Sequence, residues 1–451
     1  MALLKSVSVQ KPRQIAAQVL RQRRAEGPYV EDLLQAALAG AALSPADRGL
    51  CQELTYGAVR WQATLDWLIG QKTDGREQKP ALQNLLRLGL YQIFWLSRIP
   101  PHAAVHETVE LAKQSGLGPQ AGFVNALLRS YVREQDKTRQ LLAELKTKQP
   151  ALGWSHPEWL VARWQKRWGL KKTAQLLEWN NTPPKTFARV NTLKLLGSAR
   201  CADRTPQHSV PTLLALWAGE GVEHDFVRRD WLGENLVFEL KSHPPLDSLA
   251  SFRGGGFYIQ DPSTLLAPVL LGAQPGEAIL DFCAAPGGKT TFIAQLMNNQ
   301  GRIVAQDVSE ARLGLIRENC ARLGVTCAET ALPSTLNAQP STTFDRVLVD
   351  APCSNTGVMR RRVDLRWRIQ PKELGRLQSA QLELLEQAAG RVRSGGVLVY
   401  STCSLEPEEN QDVVKQFLTG HSAFRLDHEP ELLPFTDRVD GAYIARLHRL
   451  P

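Results

Sequence analysis

The hydrophobic period of this 451-residue chain changes once, near Gly254-Gly255-Gly256, and that change limits the possible folds more than any other feature. Upstream, from Pro12 to about Arg133, apolar residues recur every three or four positions in IAAQVL, VEDLLQAAL, LQNLLRLGLYQIFWL and AAVHETVELAK, the spacing of one helical face. Downstream, the apolar runs EAILDF, GRIVAQD, FDRVLVD and GGVLVYS alternate with the amphipathic stretches KTTFIAQLM, SEARLGLIRENCARLG and LGRLQSAQLELLEQAAGRV. Strands that are apolar throughout must be covered on both faces, which calls for helices between parallel strands. The chain is therefore expected to be α/β, with a Rossmann-like, mostly parallel sheet over 256–451. An all-α portion of about six or seven helices within 1–145 precedes it, and 146–255 forms a small mixed α/β linking region.

Local signals punctuate this plan. Gly27-Pro28, Ser44-Pro45 and Pro100-Pro101 break the helical portion, with Ser44 as a helix start, and the polar stretch REQDKTRQ leads out of it. In the linking region WSHPEWLVARWQKRWGL puts Trp164 and Trp168 four apart on one helical face, read as core packing rather than a base-stacking platform. TFARVNTLK and LVFEL read as strands, and the glycine triplet as a hinge or turn.

Composition excludes several classes. Hydrophobic residues at 43% and charged residues at 22% are those of a globular protein. No apolar run reaches the length of a membrane span, and the opening MALLKSVSVQKPR is too short in apolar residues for a signal peptide, so a cytoplasmic protein without membrane contact is expected. Seven cysteines without a C-x-x-C pair argue against a disulfide framework and against zinc, and no metal is expected. The net charge of +9 is uneven: residues 1–150 hold 20 Lys and Arg against 13 Asp and Glu. A polyanion-facing module and a solubilising surface both fit that surplus, and charge alone does not separate them. Nothing in the sequence demands an oligomer, and a monomer is the expectation.

The chemistry sits at the strand ends, where doubly wound sheets bind ligands. DFCAAPGGKTT lacks the first glycine of a triphosphate loop, because Cys283 stands where that glycine would be. The small residues Cys283, Ala284, Ala285, Pro286, Gly287 and Gly288, with Lys289, let a ligand approach the backbone closely. Asp307 ends GRIVAQD, where a carboxylate can take both hydroxyls of a ribose. A ribose acid beside a loop that is not built for a triphosphate suits S-adenosylmethionine; a dinucleotide is the other reading, but G-x-G-x-x-G is absent. Asp350 and Cys353 lie in FDRVLVDAPCSNTG and Cys403 in LVYSTCSLEPEEN, among polar, turn-forming flanks unlike a core. Cys51, Cys201, Cys320 and Cys327 read as structural. Arg360, Arg361, Arg362, Arg366 and Arg368, with Trp367 among them, suit a phosphate backbone and a stacked base.

DFCAAPGGKT, DAPCSNTG and YSTCSLEPEEN, in that order, resemble the first, fourth and sixth motifs of the RNA cytosine-C5 methyltransferases of the Sun and Nop2 family. DRGLCQELTYGAVRW, LRLGLYQIFWLSRIPPHAAVHETVELAK and GFVNALLRSY resemble the NusB-like amino-terminal domain of its bacterial branch, which methylates small-subunit ribosomal RNA. With RVNTLK and FYIQDPS in the middle region, the resemblance spans most of the chain. It implies that Cys403 is the nucleophile, that Cys353 assists release, and that Lys289 lies near cofactor and target. From the bare residues the two thiols could exchange roles, since DNA cytosine methyltransferases attack with a Pro-Cys cysteine. Asp350 is expected to hydrogen-bond the cytosine ring at N3 or to hold the methionine end of the cofactor. The resemblance also implies ribosomal RNA as partner.

Two segments depart from the family pattern. Where an acid follows the third strand in a Gly-Asp turn, this chain reads TCAETALPS, leaving Glu329 or Thr330 as substitutes. Where His-Pro-Asp is usual, it has Arg362-Val363-Asp364. The competing readings are an RNA-binding or assembly factor that keeps the fold without turnover, a C5 enzyme for another RNA, and an amino-group methyltransferase. Retention of both thiols speaks against the first, and the absence of an Asn/Asp-Pro-Pro-Tyr/Phe run against the last.

Overall fold

The computed structural model describes residues 11–194, 206–337 and 342–451; Cys201 and most of the opening MALLKSVSVQKPR lie outside them. Contacts divide the chain into two compact units, Met1–Thr182 with Met359–Ile369, and Pro183–Val358 with Gln370–Pro451.

In the first unit the expected helices run Pro12–Gln22, Val30–Ala39, Pro45–Arg60, Gln62–Gln71, Pro80–Trp95, Pro101–Gln114 and Ala121–Arg133. Their apolar stripes close one core that includes Ile15, Val19, Leu34, Leu54, Leu65, Leu86 and Leu128. Ser44 caps the third helix, its hydroxyl accepting from the Asp47 N–H at 3.1 Å. The polar stretch REQDKTRQ leads into a further helix, Gln135–Lys148, which turns Thr138 and Leu145 inward. The helix Glu158–Asn181 leaves helical geometry at Gly169. Trp164, ahead of the break, is fully buried as expected, whereas Trp168 is half-buried with the Arg167 guanidinium over its ring.

The arginine run after Cys353 departs most from expectation. Arg366 is fully buried and donates to the carbonyls of Arg60, Ser155 and Asn180 and to Asn181 Oδ1, at 2.7–3.2 Å. Trp367 Nε1 donates to the Val59 carbonyl at 2.7 Å, and Arg368 to the carbonyls of Gly27 and Pro28, each at 2.6 Å. Arg360 is buried over the Trp179 ring, 3.9 Å from its centroid. Helices end in carbonyls without internal partners and with partial negative charge, so cations complement them. Arg60 and Asn181 are the last residues of two helices, and Arg366 serves both ends. Arg366 thus caps two helix ends, and Arg360 and Arg368 are likewise taken up by contacts inside the unit rather than free to cradle phosphate; within the run, Arg362 is exposed.

The second unit holds two sheets. The strands β1 (Thr186–Val190), β2 (Glu223–Phe226), β3 (Val237–Ser242) and β4 (Phe257–Ile259) form an antiparallel sheet in the order β2-β3-β1-β4. The larger sheet contains β5 (Ala278–Phe282), β6 (Arg302–Gln306), β7 (Ala328–Ala331), β8 (Phe344–Asp350), β9 (Val392–Thr402), β10 (Phe424–His428), β11 (Glu431–Leu432) and β12 (Ala442–Arg449). Its order is β10-β12-β9-β8-β5-β6-β7, with β11 paired to β12. The run from β9 to β7 is parallel and Rossmann-like, and β12 is antiparallel to both β9 and β10. The chain winds outward in both directions from β5, which makes the β5/β8 boundary the switch point.

A buried cation joins the small sheet to the helix Gly288–Leu296 that follows β5. Arg189 of β1 donates to the Gly288 carbonyl at 3.0 Å and to Thr291 Oγ1 at 2.9 Å, between the rings of Tyr258 and Phe292. Burial pushes this guanidinium down to about 9. Asn191 in the same RVNTLK stretch donates to the carbonyls of Gly255 and Leu323, both at 2.8 Å.

Candidate functional site

The loop after β5 is shaped by backbone. Cys283 has φ +73° and Gly287 φ +98°, and a Cβ added at Gly287 would lie 3.3 Å from Ile316 Cα. Gly288 then opens the helix Gly288–Leu296. The Ala284 N–H donates to the Gln306 carbonyl at 2.8 Å and the Ala285 N–H to Asp307 Oδ2 at 3.0 Å, so the loop is stitched to the end of β6; Pro286 completes the turn. Asp307 also accepts from the Val308 N–H at 2.8 Å and from Arg312 Nε at 2.6 Å. Its carboxylate is buried, while Val308 beside it is 75% exposed, an apolar surface next to an acid.

Two acids lie behind this loop. Asp350 ends β8; its Oδ2 accepts from Lys289 Nζ at 2.6 Å and its Oδ1 from the Ser401 hydroxyl at 2.9 Å. Asp281, fully buried in β5, accepts from the Thr290 hydroxyl at 2.6 Å through Oδ2, whereas Oδ1 has no partner. Burial raises its pKa to about 7. The Cys283 thiol is pushed up to about 12, by burial first and then by Asp350 and Asp307.

The remaining candidates meet at the next pair of strand ends. Cys353 follows β8 and Cys403 follows β9, and their sulfurs are 3.3 Å apart. Cys403 donates to Asn355 Oδ1 at 3.0 Å, and Asn355 Nδ2 donates to the Cys353 carbonyl at 2.7 Å. Gly357 lets the backbones close in: a Cβ there would come within 2.8 Å of the Cys403 carbonyl and of Gly441. The Cys353 thiol is raised well above its ordinary value by the Cys403 sulfur, by burial and by Glu409. Cys51 and Cys320, read as structural, are buried, and Cys327 is half-buried.

Sequence reasoning missed Asp281, Val308, Asn355 and Glu409. All four sit inside or beside quoted motifs, but their roles depend on partners in other strands. Of the two substitutes for the acid after the third strand, Glu329 accepts from Arg302 at the start of β6 at 2.7 Å, and Thr330, next to last in β7, accepts from Arg317 at 3.0 Å.

A family profile described as 16S rRNA methyltransferase RsmB/F matches residues 268–448; the NusB family matches 10–133, and the ferredoxin-like domain of RsmF/B-like methyltransferases matches 156–200. A Bacillus subtilis protein named probable ribosomal RNA small subunit methyltransferase B is 36% identical over 427 residues, covering 92% of this chain and 90% of its own. An Escherichia coli O157:H7 ribosomal RNA small subunit methyltransferase B is 34% identical over 450 residues, covering 96% and 98%. The chain belongs to the RsmB/F family of 16S rRNA methyltransferases.

Solved structures agree on the fold of this RsmB/F family member. A methyltransferase homolog protein from Pyrococcus horikoshii is 31% identical, with a TM-score of 0.56 over 66% of this chain and 97% of that one. NSun6 from the same organism, solved with SFG, is 22% identical with a TM-score of 0.55, over 65% of this chain and 98% of that one. The chain is an S-adenosylmethionine-dependent rRNA methyltransferase with a Rossmann-like methyltransferase domain and a NusB-like helical region. The residues present are compatible with that cofactor: a buried acid at Asp307, the exposed apolar Val308 beside it, a close-approach glycine turn, and a carboxylate oxygen on Asp281 without a partner. No helix among the described residues is long and apolar enough to cross a membrane.

Proposed function

We propose that this enzyme methylates carbon 5 of a cytosine in 16S ribosomal RNA through a covalent adduct of Cys403 at carbon 6. The observation that carries this reading is a thiol pair 3.3 Å apart with an ammonium–carboxylate pair, Lys289 and Asp350, at the same strand ends. Carbon 5 of cytosine is a poor nucleophile, and addition of sulfur to carbon 6 turns the ring into an enamine. Only ionised sulfur adds. The family resemblance assigns attack to Cys403, whose sulfur lies 3.3 Å from that of Cys353 and 3.0 Å from Asn355 Oδ1, while the Cys403 sulfur and burial raise the Cys353 thiol above its ordinary value. In the addition the Sγ–C6 bond forms, the electrons of the 5,6 double bond move into the ring, and the proton shared by Lys289 and Asp350 is offered at N3. S-adenosylmethionine, held by residues 283–289, Asp307 and Asp350, supplies when bound the electrophilic methyl group that carbon 5 takes up. Cys353, acting as the base, takes the proton from carbon 5, and the electron pair of that C–H bond restores the 5,6 double bond. The Sγ–C6 bond breaks with its electron pair returning to Cys403, and N3 gives its proton back to the Lys289–Asp350 pair. In this reading residues 1–145 are an RNA-binding module, 146–255 link it to the methyltransferase domain 256–451, and the enzyme works in the cytoplasm as a monomer.

The test is the fate of the adduct. Cys403→Ala should form no covalent complex with RNA carrying 5-fluorocytosine at the target. Cys353→Ala should attack and transfer but release slowly, so that a complex with unmodified RNA persists on a denaturing gel. The reverse pattern would exchange the two roles, and unaltered methyl transfer in both variants would remove covalent catalysis altogether.

A further inference from the structure

Glu409 is fully buried, and its carboxylate is held by donors from both thiol loops. Oε1 accepts from the Ser354 N–H at 2.7 Å and from Gln381 Nε2 at 3.0 Å, while Oε2 accepts from the hydroxyls of Ser354 and Ser404. Ser354 follows Cys353, and Ser404 follows Cys403, so one carboxylate grips the neighbour of each sulfur. Gln381 donates as well to the carbonyl of Pro352, the residue before Cys353, at 3.0 Å. The Tyr400 hydroxyl of β9 donates to the Glu409 carbonyl at 2.6 Å, which anchors the clamp to the sheet. A second tier repeats the link: the Leu405 N–H donates to Thr356 Oγ1 at 2.8 Å and the Gly357 N–H to the Cys403 carbonyl at 2.9 Å.

None of the four side-chain and backbone donors on the carboxylate is a cation, and burying a carboxylate among neutral groups is costly. An apolar side chain would fill the same space more cheaply but could not accept from two loops at once. We infer that Glu409 is a positioning residue that sets the distance between the Cys353 and Cys403 sulfurs; its role in the reaction rests on the covalent reading above. A loop slipped by an ångström would still fold, but the second thiol would stand away from the adduct it has to release, and misplacement on that scale costs on the order of 10²-fold in rate.

The spacing can be read without the reaction. Dibromobimane, used on the full-length protein, bridges two nearby thiols by displacing both bromides and becomes fluorescent. In the wild type a Cys353–Cys403 bridge should appear in the peptide map, and it should be absent from Cys353→Ala and Cys403→Ala. Glu409→Ala should slow bridging by on the order of tenfold or more, with single-turnover methyl transfer falling in step, while calorimetric affinity for S-adenosylmethionine stays at the wild-type value. Glu409→Gln keeps the Oε1 acceptor and should recover part of both rates. A purely structural role would lower melting temperature and cofactor affinity together without singling out the bridge. If Glu409→Ala does not fold, the double variant Ser354→Ala/Ser404→Ala removes both hydroxyl donors and must slow bridging in its place. Wild-type bridging in either folded variant overturns the inference. Slow bridging in Glu409→Ala, combined with methyl transfer that Cys403→Ala leaves intact, would sink the covalent reading and keep Glu409 as the clamp of the pair.

Discussion

Lys289 donates to Asp350 at 2.6 Å across the switch point of the sheet, from the first turn of the helix after β5 to the last residue of β8. Burial alone would lower the affinity of Lys289 for its proton, but Asp350 and then the Cys403 sulfur raise it above the ordinary lysine value. Lys289 is thus held as an ammonium that donates to Asp350. Asp350→Asn should reduce single-turnover methyl transfer by about 10²–10⁴-fold, the range for a positioned proton-transfer group. A loss confined to cofactor affinity would assign Asp350 to the methionine end of the cofactor instead.

The Asp307 carboxylate is fixed by the Ala285 and Val308 N–H groups, and in the proposed function it takes the ribose hydroxyls of the cofactor. Hydrogen bonds to a charged group contribute about 1.5–3 kcal/mol each. Asp307→Ala should therefore weaken S-adenosylmethionine binding by an order of magnitude or more, measured by calorimetry. Equal affinity in the two proteins would remove Asp307 from the ribose role.

Asp281 gives the apoprotein a pH dependence. Its folded pKa, raised to about 7 by burial, lies above that of an unfolded aspartate. The folded state binds the extra proton, so the contribution is fully present below about pH 4 and is lost as pH rises to about 7, with a slope of up to about 1.4 kcal/mol per pH unit. Melting temperatures of the wild type and Asp281→Asn, taken between pH 5 and 8, should diverge as pH rises, the variant falling less. Parallel curves would mean that Asp281 does not titrate in this window.

Arg366 and Arg362 come from one arginine run and should behave differently. Arg366→Ala strips donors from three carbonyls and the Asn181 amide oxygen, at on the order of 1–3 kcal/mol for each buried acceptor left without a partner. It should lower the melting temperature sharply, and Arg366→Lys should not rescue it, because one ammonium cannot span that fork. Arg362→Ala, at an exposed position, should leave the melting temperature alone. A stable Arg366→Ala with weakened RNA binding would return Arg366 to phosphate contact.

Arg21, Arg24 and Arg76 are exposed and line one groove of the helical unit. Charge reversal of all three to Glu should weaken RNA binding and flatten its dependence on salt, since each lost phosphate contact removes about 0.7–0.9 from the logarithmic slope. Cofactor affinity should not change. An unaltered salt slope would point to another partner for this groove.

Features that rest on neighbours along the chain are legible in the order of residues. The 3.6-residue period calls for about six or seven helices, and seven run between Pro12 and Arg133; apolar runs give β5, β6, β8 and β9, and the glycine turn after Asp281 marks the carboxyl end of the sheet. These signals survive in one dimension because backbone geometry and the burial of one face are set by residues a few positions apart. The antiparallel strand β12 was not foreseen, because its Arg446, His448 and Arg449 interrupt the apolar pattern and its partners β9 and β10 lie earlier in the chain. The arginine run takes its role from the fold, since Arg366 finds the Arg60 carbonyl 306 residues away. The same holds for Glu409, one more acid in LEPEEN until the fold brings Ser354 to it from 55 residues back. The physical reason is common to both: a charged side chain reads as solvent-facing unless its partners are known, and a buried charge takes its meaning from donors and acceptors that only the folded chain collects.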